Sequence, residues 1–194
     1  MADRYDLARI AEAWAAEYQE RQTPTIQDWF MLAWARSVPA LVGIPNNALP
    51  TLNLGAGNRF IGDSVPLDLE HGWNGETDKL PYDNGKVAGI WAHGFFEHIS
   101  PENVPRVLYE CQRVLCWGGV LNIVVPHSLS DMYPEDITHK SFWHEETITN
   151  IFRNPYYTDP NIKFEWLMQQ HACFIMGVVW RNLGLFIQLV KEPK

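Results

Sequence analysis

At 194 residues the chain suits a single domain that buries roughly 70% of its unfolded surface, and 46% hydrophobic residues with nine tryptophans exclude an intrinsically disordered chain. A formal net charge of −8 excludes a general electrostatic attraction to bulk nucleic acid or to an anionic membrane. Cys111, Cys116 and Cys173 are too few, and odd in number, for a disulfide framework; they are expected as small apolar side chains in a reducing compartment.

In chain order, Leu7, Ile10, Ala11, Trp14, Ala15 and Tyr18 fall at helical spacing and predict an amphipathic helix. Asp3 and Asp6 precede it without an apolar run, so no secretory leader is expected. Thr23-Pro24 reads as a stop and restart, after which Ile26, Trp29, Phe30, Ala33 and Trp34 define a second helix. The two form a helical appendage over residues 1–48, read either as packing or as a wall over a substrate, with 38–50 as connector.

Thr51-Leu52-Asn53-Leu54 predicts a short apolar strand, cut off by Gly55-Ala56-Gly57. Two glycines so placed let the backbone turn sharply and approach a ligand closely. A nicotinamide-dinucleotide fingerprint needs another glycine three positions after Gly57, where the chain has Phe60. The turn therefore points to a nucleoside-type ligand held without a phosphate clamp. Val65-Pro66-Leu67 predicts a second strand ending in Asp68, a carboxylate able to accept from both ribose hydroxyls; Glu70 and Asp63 are alternatives. Little room is left for a helix between these strands.

A vestigial third strand is expected over Glu76–Leu80, a fourth over 86–92, and a helix over His93–Ile99. Ser100 reads as an N-cap with Pro101 in the first helical position. Val104, Val107, Leu108, Cys111, Val114 and Leu115 then make a buried stripe that ends at Gly118 as C′ residue. Val120–Val125 is the fifth strand, ended by Pro126. This alternation predicts a doubly wound, mostly parallel sheet. Residues 127–144 form a long polar connection and Glu145–Phe152 a helix. Lys163–Gln170, Ile175–Trp180 and Leu183–Val190 read as strands, the last two joined by a hairpin at Arg181-Asn182. The apolar run from Phe174 to Val190 is too broken to span a bilayer, so a soluble, cytoplasmic protein is expected.

The order of these parts resembles the class I S-adenosylmethionine-dependent methyltransferases. The matching pieces are Leu52-Asn53-Leu54-Gly55-Ala56-Gly57, Leu80-Pro81-Tyr82, Glu97-His98-Ile99 and Arg113-Val114-Leu115 with Gly118-Gly119, and they cover residues 50–126. The chain departs at Val87-Ala88, where the family usually has Phe-Asp entering the fourth strand. The resemblance implies a Rossmann-like sheet with an antiparallel C-terminal strand. It divides one domain, 1–194, into the appendage, a cofactor-binding core (50–126), and a substrate-side loop with the C-terminal strands (127–194). It also implies S-adenosylmethionine as cofactor and in-line methyl transfer; the acidity and small size of the chain favour a small-molecule or sugar-like acceptor. The alternatives are a non-catalytic S-adenosylmethionine-binding partner protein and a methyltransferase acting on a macromolecule.

The implied cofactor contacts are Asn53, Gly55, Ala56, Gly57 and Asp68, with Asp78 and Leu80 on the adenine-contacting segment and His93 at the carboxyl edge of the fourth strand. His127 and His139 lie beyond the fifth strand and are the candidate general bases, since histidine titrates near neutrality. Glu97-His98 is expected to pack and cap. His139 and His144 lie five apart with no third ligand nearby in sequence, so no metal site is expected. Asn154-Pro155-Tyr156-Tyr157 is similar to the Asn-Pro-Pro-Tyr signature of amino-methylating enzymes. It is imperfect and falls after the fifth strand rather than the fourth, and it reads as an ordinary turn.

Overall fold

The computed structural model describes residues 48–57, 64–154, 164–175 and 183–191. The two N-terminal helices, Asp63, Tyr156-Tyr157 and the Arg181-Asn182 hairpin lie outside the described residues. Six strands form one sheet: β1 (Thr51–Leu54), β2 (Val65–Leu67), β3 (Val87–His93), β4 (Leu115–Pro126), β5 (Trp166–Ile175) and β6 (Leu183–Lys191), in the order β2-β1-β3-β4-β6-β5. A 3-10 turn spans Phe96–His98, and the helices are α1 (Val104–Val114), α2 (Met132–Glu135) and α3 (Thr147–Arg153).

β1 to β4 pair in parallel, and β6 runs antiparallel to both β4 and β5, as the sequence implies. The parallel strands are near-continuous apolar runs because both faces are covered: Leu52, Leu54, Val87, Ala88, Ile90 and Ala92 are fully buried. Leu54 lies opposite Leu67 and Ala92, and His93 opposite Val124. This register brings the carboxyl ends of four strands to one edge, where ligands bind in open α/β sheets. The predicted stripe of α1 packs on the sheet, joined by Trp143 and by Ile148 and Ile151 of α3. Lys191 reaches back from β6, its buried ammonium donating to the carbonyls of Gln112 and Leu115 at the C-terminal end of α1, each at 2.8 Å. A cation suits that end of a helix dipole. No helix among the described residues is long and apolar enough to cross a membrane.

Several local expectations give way to tertiary contacts. Glu76–Leu80 forms turns and extended chain rather than a strand, because side chains take its backbone partners. Arg106 donates to the carbonyls of Gly75 and Asp78, and Arg113 to those of Leu80 and Tyr82. Ser100 does not cap the helix; its hydroxyl and N–H donate to Glu76, and α1 begins at Val104 behind Asn103. The helix expected over His93–Ile99 shrinks to the 3-10 turn, since β3 runs through His93 and Gly94 takes φ +64°. Gly118 is no C′ residue: α1 ends at Val114, and Gly118, at φ +76°, lies where pairing jumps from Val87–Leu115 to Gly89–Val120. The break expected after Gln170 is absent, because β6 pairs with β5 from Trp166 to Ile175 and the ladder overrides the polar run.

Candidate functional site

The carboxyl end of β1 turns at Gly55, at φ +65°, whose N–H donates to Leu67 O at 2.8 Å. A Cβ there would sit 2.9 Å from Phe95 Cδ2, so only glycine admits both the backbone conformation and the ring. Gly57, at φ +48°, faces open space among the described residues, and its N–H donates to Asp68 Oδ2 at 2.5 Å. The other oxygen of Asp68 accepts the His71 N–H at 3.0 Å and meets His71 Nδ1 at 2.6 Å. Burial pushes the Asp68 carboxyl up, but the bonds from the His71 ring and backbone and from Gly57 outweigh it and hold the group below its ordinary value. Asp68 is therefore an anion at neutral pH, beside the glycine turn.

A cavity of about 530 Å³ opens over this corner, within the range of small-molecule sites. Gly55, Gly57 and Asp68 line it together with Trp73 to Glu76, Phe95, His98, Thr138 and Lys140. Trp73 and Phe95 stack at 5.7 Å, and edge contacts from Phe95 to Phe96 and from Phe96 to Trp143 carry this aromatic wall into the core. Glu76 fastens the wall: it accepts from Ser100, Asn103 and Lys140. Burial raises its carboxyl, yet the Lys140 ammonium and the Ser100 and Asn103 donors hold it at about 2.

Of the predicted cofactor contacts, the structure brings Gly55, Gly57 and Asp68 together on the cavity. Asn53 and Ala56 are buried and do not line the cavity. Asp78 and Leu80 stand off the lining: the Asp78 carboxylate is exposed and accepts from Asn74 N–H and Thr77 Oγ1, and Leu80 is buried with its N–H on Glu110. His93 is buried at the end of β3, one residue before Gly94, which does line the cavity.

The two candidate bases are far apart in character. His127 is buried; its Nδ1 accepts the Leu129 N–H at 3.0 Å, so the proton sits on Nε2, which faces Glu145 Oε2 at 3.0 Å. Both ring nitrogens are engaged, which leaves neither for a substrate. His139 Nδ1 lies 2.9 Å from Tyr133 O, a pure acceptor, so Nδ1 carries a proton. His139 packs edge-on against His98, whose imidazole is held below its ordinary range by burial first and then by His139.

Folding also supplies the third donors that sequence spacing does not show. Glu97, His98 and His139 offer atoms within 4.8 Å of one another, and so do His127, His144 and Glu145. The cavity residues missed in the sequence include Trp73, Glu76, Phe95, His98, Thr138 and Lys140. Gly94-Phe95 directly after an apolar strand was a usable signal; Lys140, 64 positions from its partner Glu76, carried none.

No family model matches the chain, and no curated protein matches it by sequence. Solved structures do match. The methyltransferase in a complex with the Haloferax volcanii Trm112 methyltransferase activator aligns over 98% of both chains, with TM-score 0.61 and 15% identity. The [4+2]-cyclase SpnF aligns over 75% of each chain at TM-score 0.51 and 12% identity. A geranyl diphosphate methyltransferase, bound to its diphosphate and to sinefungin, aligns over 77% of this chain and 75% of its own at TM-score 0.50 and 13% identity. The chain thus has the class I methyltransferase fold. A fold does not fix a reaction, as the presence of a cyclase among these structures shows.

Proposed function

We propose that the chain binds S-adenosylmethionine in the cavity over β1, β2 and β3 and transfers its methyl group to an acceptor that enters past residues 127–144. One observation carries this reading: an ionised carboxylate, Asp68, ends β2 directly beside a two-glycine turn that lacks the further glycine of a pyrophosphate site. Asp68 keeps a lone pair on Oδ2 to accept a ribose hydroxyl, and the Trp73–Phe95 wall suits a flat purine. Gly55 and Gly57 let the chain pass close to the ligand. The bound sulfonium supplies an activated methyl group. What remains for the protein is alignment, which is worth roughly 7–11 kcal/mol when geometry is good. Of the two histidines beyond β4, His127 has both ring nitrogens engaged and holds the loop, and neither it nor His139 lines the cavity.

The size of the cavity and the net charge of −8 favour a small-molecule or sugar-like acceptor over bulk nucleic acid. A second reading, assembly with an activator protein, is favoured by the full-length alignment to a methyltransferase that is itself in complex with Trm112. Titration calorimetry tests the first claim: S-adenosylmethionine or its demethylated product binds at micromolar levels, about −8 kcal/mol, and NAD does not. Binding of NAD in preference to the sulfonium would overturn it. Radiolabelled methyl transfer to a size-fractionated extract then names the acceptor class.

A further inference from the structure

Glu97 and His98 belong to the 3-10 turn after β3, while His139 comes from the connection between β4 and α3. The backbone clamps these segments together: the N–H groups of Lys140 and Ser141 donate to Glu97 O at 2.7 and 3.1 Å, and Ser141 Oγ donates to Phe96 O at 2.7 Å. The clamp gathers one carboxylate oxygen and two imidazole nitrogens within 4.8 Å of one another. We propose that Glu97, His98 and His139 bind one divalent transition-metal ion of the zinc class at the wall of the cavity.

The hydrogen positions argue for it. Thr138 Oγ1 gives its single proton to Asp136 Oδ1 at 2.6 Å, so at 3.0 Å from His98 Nδ1 it accepts, and His98 carries its proton on Nδ1. His139 likewise donates from Nδ1 to Tyr133 O. Both rings are thus fixed through Nδ1–H, which leaves Nε2 as the nitrogen each can offer a metal, the arrangement by which outer-shell acceptors orient ligating histidines. His139 Nε2 lies 3.8 Å from Asp136 Oδ2. Asp136 thus sets a further carboxylate oxygen beside the donors. Tyr133, its ring 5.0 Å from that of His139, has a buried hydroxyl with no partner among the described residues, a further oxygen at the same place.

Two imidazoles and a carboxylate suit zinc, cobalt or ferrous iron rather than magnesium or calcium. A cation also offsets the cost of burying the Glu97 carboxylate, whose residue is 2% exposed. The other donor group, His127 with His144 and Glu145, is less suited, because both ring nitrogens of His127 are committed. The metal reading stands on donor geometry and does not depend on what fills the cavity, although His98 lines it too.

The test uses the full chain, stripped with chelator and titrated with Zn²⁺ by calorimetry and with Co²⁺ by visible ligand-field absorption, each variant checked for fold by circular dichroism. One equivalent binds. His139→Ala and His98→Ala abolish the Co²⁺ band, and His144→Ala leaves it unchanged. Thr138→Val, which keeps every ligand, weakens affinity about 10–100-fold. Failure of the folded wild type to bind either ion would overturn the proposal, as would a band that survives His98→Ala and His139→Ala or vanishes with His144→Ala.

Discussion

Asp68 holds two structures at once, the glycine turn through Gly57 and the following turn through His71, while its carboxylate remains on the cavity. Asp68→Ala spares the sheet, whose backbone ladder does not use this side chain, but it frees both turns and removes a charge-assisted acceptor worth roughly 1.5–3 kcal/mol. The expected result is a loss of about 10- to 100-fold in S-adenosylmethionine affinity by calorimetry, with an unchanged circular dichroism spectrum. Gly55→Ala acts by a different route. A left-handed backbone costs a non-glycine residue about 1–2 kcal/mol, and the new methyl meets Phe95 Cδ2 at 2.9 Å. Chemical denaturation should show a stability loss, and affinity should fall with it because Phe95 must move.

At the scale of elements, the stretch from Asn74 to Tyr82 replaces a strand by a web of side-chain bonds to α1, with Glu76 at its centre. The Glu76 carboxyl titrates at about 2 in the folded chain against an ordinary 4.5, so the unfolded chain takes up the proton first. Its stabilisation is complete above about 4.5 and fades as pH falls toward about 2. Glu76→Gln should lower stability at pH 7 by about 1–2 kcal/mol, and its deficit against the native chain should shrink through that pH window. The connection over 127–144 divides in the same spirit. Ser128 N–H is fixed on Trp143 O, and Lys140 and Ser141 on Glu97 O, whereas Ile137 is 99% exposed. Hydrogen exchange should find the anchors protected and 134–138 open, and cofactor with acceptor should slow exchange in 134–138. Equal exchange with and without ligands would make that stretch scaffold.

For the whole molecule, a ligand that binds only the folded chain stabilises it by mass action. At a hundredfold excess over the dissociation constant the gain is about 2.7 kcal/mol, which for a chain of this size raises the melting temperature by roughly 5–10 °C. S-adenosylmethionine should produce that shift in a thermal scan and NAD should not. An activator protein, in the second reading, should raise it further at equimolar concentration.

Much of this architecture is written locally. Runs such as Leu52–Leu54 and Val120–Val125 specify buried parallel strands by composition alone. The Gly55–Gly57 turn and Asp68 were legible because backbone freedom and charge at a strand end are short-range properties. The adenine-side assignment to Asp78 and Leu80 rested on the resemblance alone, and the cavity lining from that stretch stops at Glu76. Local pattern also misplaced the start of α1, because Ser100 spends its hydroxyl on Glu76, 24 positions away. It could not see Lys140 on the cavity, nor His139 beside Glu97 and His98, since those contacts exist only once the loop after β4 is clamped to the turn after β3. Periodicity and turn chemistry are set by neighbours in the chain; donor clusters and cavity walls are set by hydrogen bonds between segments far apart in it, and only the folded chain decides them.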